Sequence, residues 1–207
     1  MNLKEFEPIF KNDIAPIYVK HKKEFDEFGI HGCLHISRSL IISRLLCSKL
    51  SNLGFVLDID KITYAIAFHD SGRKANGIDY WEANSFYICS SYLDNKKIPD
   101  SNYISSLIIK DNNKNDYNYF CVYDTDVLEI ARPCTGVGVY NFNPTFLKLK
   151  DIFSNHYTTI QNEVFSFILD TENIKNNFSN ENSLINLIEY LENKKELYPL
   201  LYGASIS

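Results

Sequence analysis

No two cysteines in this sequence stand in a C-x-x-C spacing. The five cysteines (Cys33, Cys47, Cys89, Cys121 and Cys134) are scattered and odd in number, which excludes a metal-knuckle pattern and a fully paired disulfide framework. Such usage fits a reducing, cytoplasmic setting. Four of them stand in apolar surroundings, where a free thiol behaves as a small hydrophobe. Cys134, in a Pro/Gly segment, is the one candidate for reactivity, and a structural role is the simpler reading. A basic excess is missing as well: Lys and Arg number 21 against 26 Asp and Glu, for a net charge of −5. That balance leaves no electrostatic footprint for nucleic acid. No apolar run is long enough to span a bilayer, and the opening MNLKEFEPIF is too charged for a leader peptide. Neither an internal repeat nor a low-complexity block occurs.

What is present is an ordinary globular composition, 45% hydrophobic and 23% charged over 207 residues, a length that predicts one domain over 1–207. The apolar pattern is helical almost throughout. Leu34, Leu40, Ile41, Leu45, Leu46 and Leu50 recur at helical spacing between His31 and Leu50, with Gly54 as a stop. Asp58 or Asp60 caps the next helix, Lys61–Asp70. Further helices are expected around 17–28, 82–94, 99–110, 119–132, 145–154, 158–170 and 182–196. Polar or Pro/Gly/Asn-rich connectors fall at 111–118, 132–144 and 173–182. The expected fold class is all-α.

Residues 65–85, AIAFHDSGRKANGIDYWEANS, raise the functional question. A buried helix delivers His69-Asp70, then Arg73, and Asp79, Trp81 and Glu82 follow within a few residues. Upstream, His31 and His35 are four apart, a spacing that puts both on one helical face. Downstream, Asp126 sits in DTDVLE. Imidazoles and carboxylates from three helices can surround one small volume and supply N and O donors to a hard or borderline divalent cation, or an acid–base pair to a phosphate. Arg38 and Arg73 can fork a phosphate, although a salt bridge accounts for Arg38 as well. Asp79 serves equally as a helix cap, and Tyr80 and Trp81 as core aromatics or as a stacking surface for a base. Asp124 and Glu129 are additional carboxylates, Glu129 read as structural. Arg132 through Val139 are either the far rim of a pocket or a surface loop.

The order His35-Ile36-Ser37-Arg38, His69-Asp70 and Asp126-Val127-Leu128-Glu129 resembles the HD phosphohydrolase superfamily over roughly residues 31–132. That resemblance implies a single HD-like helical domain with a motif core at 31–132 and C-terminal helices at 145–200. His35, His69, Asp70 and Asp126 would be its metal ligands, for Mg, Mn, Fe or Zn. A narrower likeness joins HG-x-x-H-x-x-R (His31–Arg38), FHD-x-x-R (Phe68–Arg73) and G-x-D-x-W-E-x-x-S (Gly77–Ser85), which together look like the phosphodiesterase domain of the SidE family of secreted bacterial effectors. It implies cleavage of a nucleotide-linked pyrophosphate or phosphodiester, on ADP-ribosylated or phosphoribosyl-linked protein such as ubiquitin, without a metal cofactor. The host-cell cytosol would be the place of action. His31 would match the nucleophile and Glu82 the glutamate that orients it. His35, Arg38 and Arg73 would complete the catalytic set, with Tyr123, Asp79 and Trp81 on the substrate side. Where that family has a second catalytic histidine this chain has Tyr123, a poorer proton carrier at neutral pH. Three functions follow as expectations: a SidE-like phosphodiesterase releasing AMP, a metal-dependent HD nucleotide phosphohydrolase, and a nucleotide-binding module with altered catalysis.

Overall fold

The computed structural model describes residues 1–27, 29–75, 80–111, 115–130, 147–153 and 156–205. Asp79, Cys134, the expected loop at 132–144 and the Arg132–Val139 rim lie outside the described residues. The chain is all-α, with no strand among the described residues. In chain order the helices are α1 (Leu3–Ile9), α2 (Ala15–Glu24), α3 (Cys33–Asn52), α4 (Ile59–Phe68), α5 (Trp81–Asn95), α6 (Ser101–Ser106), α7 (Tyr117–Ile130), α8 (Lys150–Phe153), α9 (Tyr157–Asn173), α10 (Ser183–Asn193) and α11 (Pro199–Ser205). A single π-turn, Phe10–Ile14, joins α1 to α2.

α3 is the axis of the fold. Sixteen of its twenty residues are buried, so it is a core helix covered all round rather than an amphipathic one. α2, α4, α7, α10 and α11 pack around it. Two of its serines turn their hydroxyls inward without leaving the helix: Ser43 donates to the Leu40 carbonyl, and Ser37 meets Ser183 of α10. Gly54 closes the helix at φ +90°, a conformation that glycine adopts without a Cβ penalty.

α4 begins at Asp58, whose carboxylate accepts the Lys61 N–H, and the apolar run that follows is wholly buried. It stops at Phe68, two residues earlier than the sequence suggests, so His69 and Asp70 occupy the turn beyond it. Tyr18 of α2 donates to the Ala67 carbonyl at 2.8 Å and pins that end. The next turn is fixed by Gly72, which packs directly on the first turn of α5. Its N–H donates to Ser85 Oγ at 2.9 Å and its carbonyl accepts from Asn84 Nδ2. A Cβ here would lie 2.3 Å from the Ser85 nitrogen. α5 and α6 form a flanking layer against α4, while α7 runs beside α3 and α4.

Candidate functional site

Three structural positions deliver the central side chains. His35 comes from the first turn of α3, His69 and Asp70 from the turn after α4, and Asp126 from the middle of α7. All four are buried. The His35 and His69 Nε2 atoms face each other at 3.0 Å. Asp70 Oδ2 stands 3.4 Å from the first and 3.7 Å from the second. Asp126 Oδ1 stands 3.7 and 3.4 Å from the same two nitrogens. Metal–ligand bonds of about 2.0–2.2 Å place neighbouring donors about 3 to 3.6 Å apart. The ligand atoms of His35, His69 and Asp70 lie close enough together to share one ion, with Asp126 Oδ1 beside the two imidazoles.

Hydrogen bonds on the far side of each ring define which nitrogens carry protons. His35 Nδ1 meets the Glu129 carboxylate, and His69 Nδ1 lies 2.7 Å from the Ile66 carbonyl. Both partners only accept, so both Nδ1 atoms carry hydrogen. With each Nδ1 so engaged, the two Nε2 atoms share the 3.0 Å gap between the carboxylates. A proton between the two Nε2 atoms accounts for that contact. Asp70 is paired with His31 and Arg73, and Asp126 with Lys110, so the buried carboxylates have cationic or imidazole partners within the protein, while His35, His69 and Asp70 bring ligand atoms close enough together to hold an ion. Burial opposes the charge on His35, but Glu129 and Asp70 outweigh it and raise the imidazole to about 9. Burial likewise opposes ionisation of Asp70 and Asp126, yet the imidazoles of His69, His31 and His35 beside Asp70, and Lys110 and His69 beside Asp126, hold both carboxyls below the usual range.

His31 lies in the turn two residues before α3, not on the helix itself. Asp26, fully buried, accepts the Ile30 and His31 backbone N–H groups at 2.8 Å each and fixes that turn. The imidazole Nδ1 meets Asp70 Oδ2 at 2.7 Å, so Asp70 holds the position expected for Glu82. Glu82 instead accepts the Lys110 backbone N–H at 3.1 Å. Arg38 is a second correction: it is wholly buried and forks between Glu129 at 2.6 Å and Glu172 at 3.1 Å. That arrangement supports His35 from behind, through Glu129, and leaves no guanidinium face for a phosphate. Glu129 is structural as expected, in the specific sense that it orients His35.

Arg73 does stand at the site. Its Nε lies 3.1 Å from Asp70 Oδ1, and its guanidinium stacks 3.8 Å above the Trp81 ring. Trp81, Tyr123, His69 and Asp126 border a cavity of about 10 Å³, together with Lys110, Tyr119, Val122, Leu107 and Ile108. That is room for about one water. Tyr80, by contrast, is 91% exposed. Asp124 faces away from the cluster and accepts the Lys148 and Leu149 N–H groups at 2.8 Å. His156 is exposed, at the N-terminus of α9.

Lys110 and Asp26 are site residues that the sequence pattern did not reveal. Lys110 Nζ lies 3.0 Å from Asp126 Oδ2, and that carboxylate raises its pKa. A cation directly after the apolar run SSLII was the available signal, the same one that exposed His69-Asp70. Asp26 offered none, because its partners are backbone amides. No family model matches the chain, and no curated protein or solved structure matches it.

Proposed function

We propose that the chain is a metal-dependent phosphohydrolase acting on a nucleotide-type phosphate ester or anhydride. One observation supports this reading: two Nδ1-anchored imidazoles turn their Nε2 atoms toward each other, and His35, His69 and Asp70 lie close enough together to share one ion. His35, His69, Asp70 and Asp126 would hold the ion, which when bound polarises a phosphoryl oxygen and acidifies a water. The chain's own groups complete the chemistry. His31, oriented by Asp70, is placed to carry a proton to or from the reacting group. Arg73 positions Asp70, with Trp81 holding the guanidinium flat. Lys110 supplies positive charge on the open side of Asp126, where charge builds up during phosphoryl transfer. Trp81 and Tyr123 border the water-sized cavity beside His69 and Asp126.

A second reading rests on the His31–Asp70 pair itself. A carboxylate-oriented imidazole is also the arrangement of a nucleophile or acid–base catalyst that works without metal, as the SidE-like likeness implies. The experiment that tests the proposal separates the two. Protein stripped with chelator and reloaded with Mn²⁺, Fe²⁺, Zn²⁺ or Mg²⁺ is assayed by mass spectrometry on a nucleotide panel, ADP-ribose and ADP-ribosylated ubiquitin. Turnover that requires metal and is lost in His69→Ala supports the metal-dependent reading. AMP release that survives EDTA and is lost in His31→Ala overturns it in favour of the metal-free one.

A further inference from the structure

Nine residues beyond His35 on α3, about 14 Å along the helix at its rise of about 1.5 Å per residue, Arg44 presents a separate problem. The side chain is only 6% exposed. Its Nη2 donates to the Met1 carbonyl at 3.1 Å and to Thr63 Oγ1 at 2.8 Å. Its Nε–H is buried and has no acceptor. No carboxylate of the described residues lies within ion-pair distance, 4.0 Å, of the guanidinium. The nearby acids are engaged elsewhere: Asp60 with the Met1 amino group, and Glu5 with the Asn2 N–H in the cap of α1. A guanidinium stays charged at any physiological pH, and a buried charge is ordinarily paired.

Arg44 forms part of the wall of a cleft of about 470 Å³ between α1, the far half of α3 and the start of α4. Ser48 and Ser51 stand four and seven residues along α3, on the same helical stripe as Arg44, and Asn2, Asn52 and the Glu5 carboxylate, which accepts the Asn2 N–H, also line the cleft. A buried cation without a carboxylate partner, beside hydroxyls and amides, suits a tetrahedral oxyanion. The volume exceeds that of a bare ion and accommodates a small organic group as well. We infer that this cleft is a phosphate-binding site, distinct from the His/Asp cluster, that takes the phosphate group of a small monoester or free phosphate on Arg44, Ser48 and Ser51.

The test is an amide-resolved NMR titration of the intact chain with inorganic phosphate and, separately, ribose 5-phosphate. Saturable shifts at Asn2, Ser48, Ser51 and Thr63 in the millimolar range or below are expected. Ser48→Glu places a carboxylate one turn from Arg44 and leaves the arginine in its fold. It should weaken binding at least tenfold while the melting temperature holds or rises, and Arg44→Gln should do the same at a cost in stability. Lys110→Ala, at the other site, should leave the titration unchanged. Tighter binding of ribose 5-phosphate identifies a monoester as the ligand, and equal binding identifies free phosphate. Absence of shifts on this face, their persistence in Ser48→Glu, or their loss in Lys110→Ala overturns the assignment.

Discussion

Both ring nitrogens of His35 are committed, Nδ1 to Glu129 and Nε2 to the shared volume with His69. Glu129 is therefore a positioning residue for the proposed ion. Glu129→Gln is expected to weaken metal binding about 10–100-fold, read by calorimetry, while His31→Ala, which removes no ligand, should retain the metal and lose turnover. The pH behaviour of Asp124 is a separate matter. Burial raises its carboxyl to about 7, against the opposing pull of the Lys148 and Leu149 amides. A folded-state pKa above the unfolded value near 4 means that its contribution to stability is full below about pH 4 and is lost as pH rises through about 7. Asp124→Asn should flatten that part of the stability–pH profile in urea unfolding followed by circular dichroism. At this scale the sequence pointed to the proposed ligands but not to the residues that support them. His35, His69, Asp70 and Asp126 carry recognisable chemistry at recognisable spacing. The Glu129–His35 contact spans 94 residues and Arg38–Glu172 spans 134, so only the folded chain could show that Arg38 faces inward.

Among the elements, α4 was the most legible, because a capping aspartate, an unbroken apolar run and an abrupt change to ionisable residues all agree on where it begins and ends. α1 and α11 were not anticipated. Each has seven residues, too few for a periodic signal, and each is held in place by tertiary packing. The expected helix at 99–110 is shortened to Ser101–Ser106, and 145–154 to Lys150–Phe153 among the described residues. The junction between the α4 turn and α5 is where one atom matters most. Gly72→Ala drives a Cβ into the backbone of α5, and a loss of about 2 kcal/mol or more is expected from overpacking. Because that turn carries Asp70 and Arg73, thermal denaturation and metal affinity should fall together in this variant. Leu40→Ala, fully buried in α3, is expected to cost about 2–5 kcal/mol through the cavity it leaves.

Across the whole molecule the candidate site is a junction. α3, the turn after α4, and α7 meet there, and a single ion would cross-link three parts of the chain far apart in sequence. Binding to the folded state alone stabilises by about 2.7 kcal/mol at a metal concentration 100 times Kd, which for a domain of this size is a rise in melting temperature of about 5–10 °C. The all-α class was legible because helical periodicity runs through nearly every segment, whereas the site's closure was not, because it depends on how those helices cross. The most direct measurement of the central claim is the metal stoichiometry of purified, chelator-stripped protein titrated with Mn²⁺ or Zn²⁺, in wild type and in Asp70→Asn and His35→Gln. The account predicts one ion per chain with a matching rise in melting temperature, and in either variant an affinity weakened at least a hundredfold with most of that rise lost. Wild-type protein that binds no ion at that stoichiometry, or variants that bind it unchanged, would contradict it.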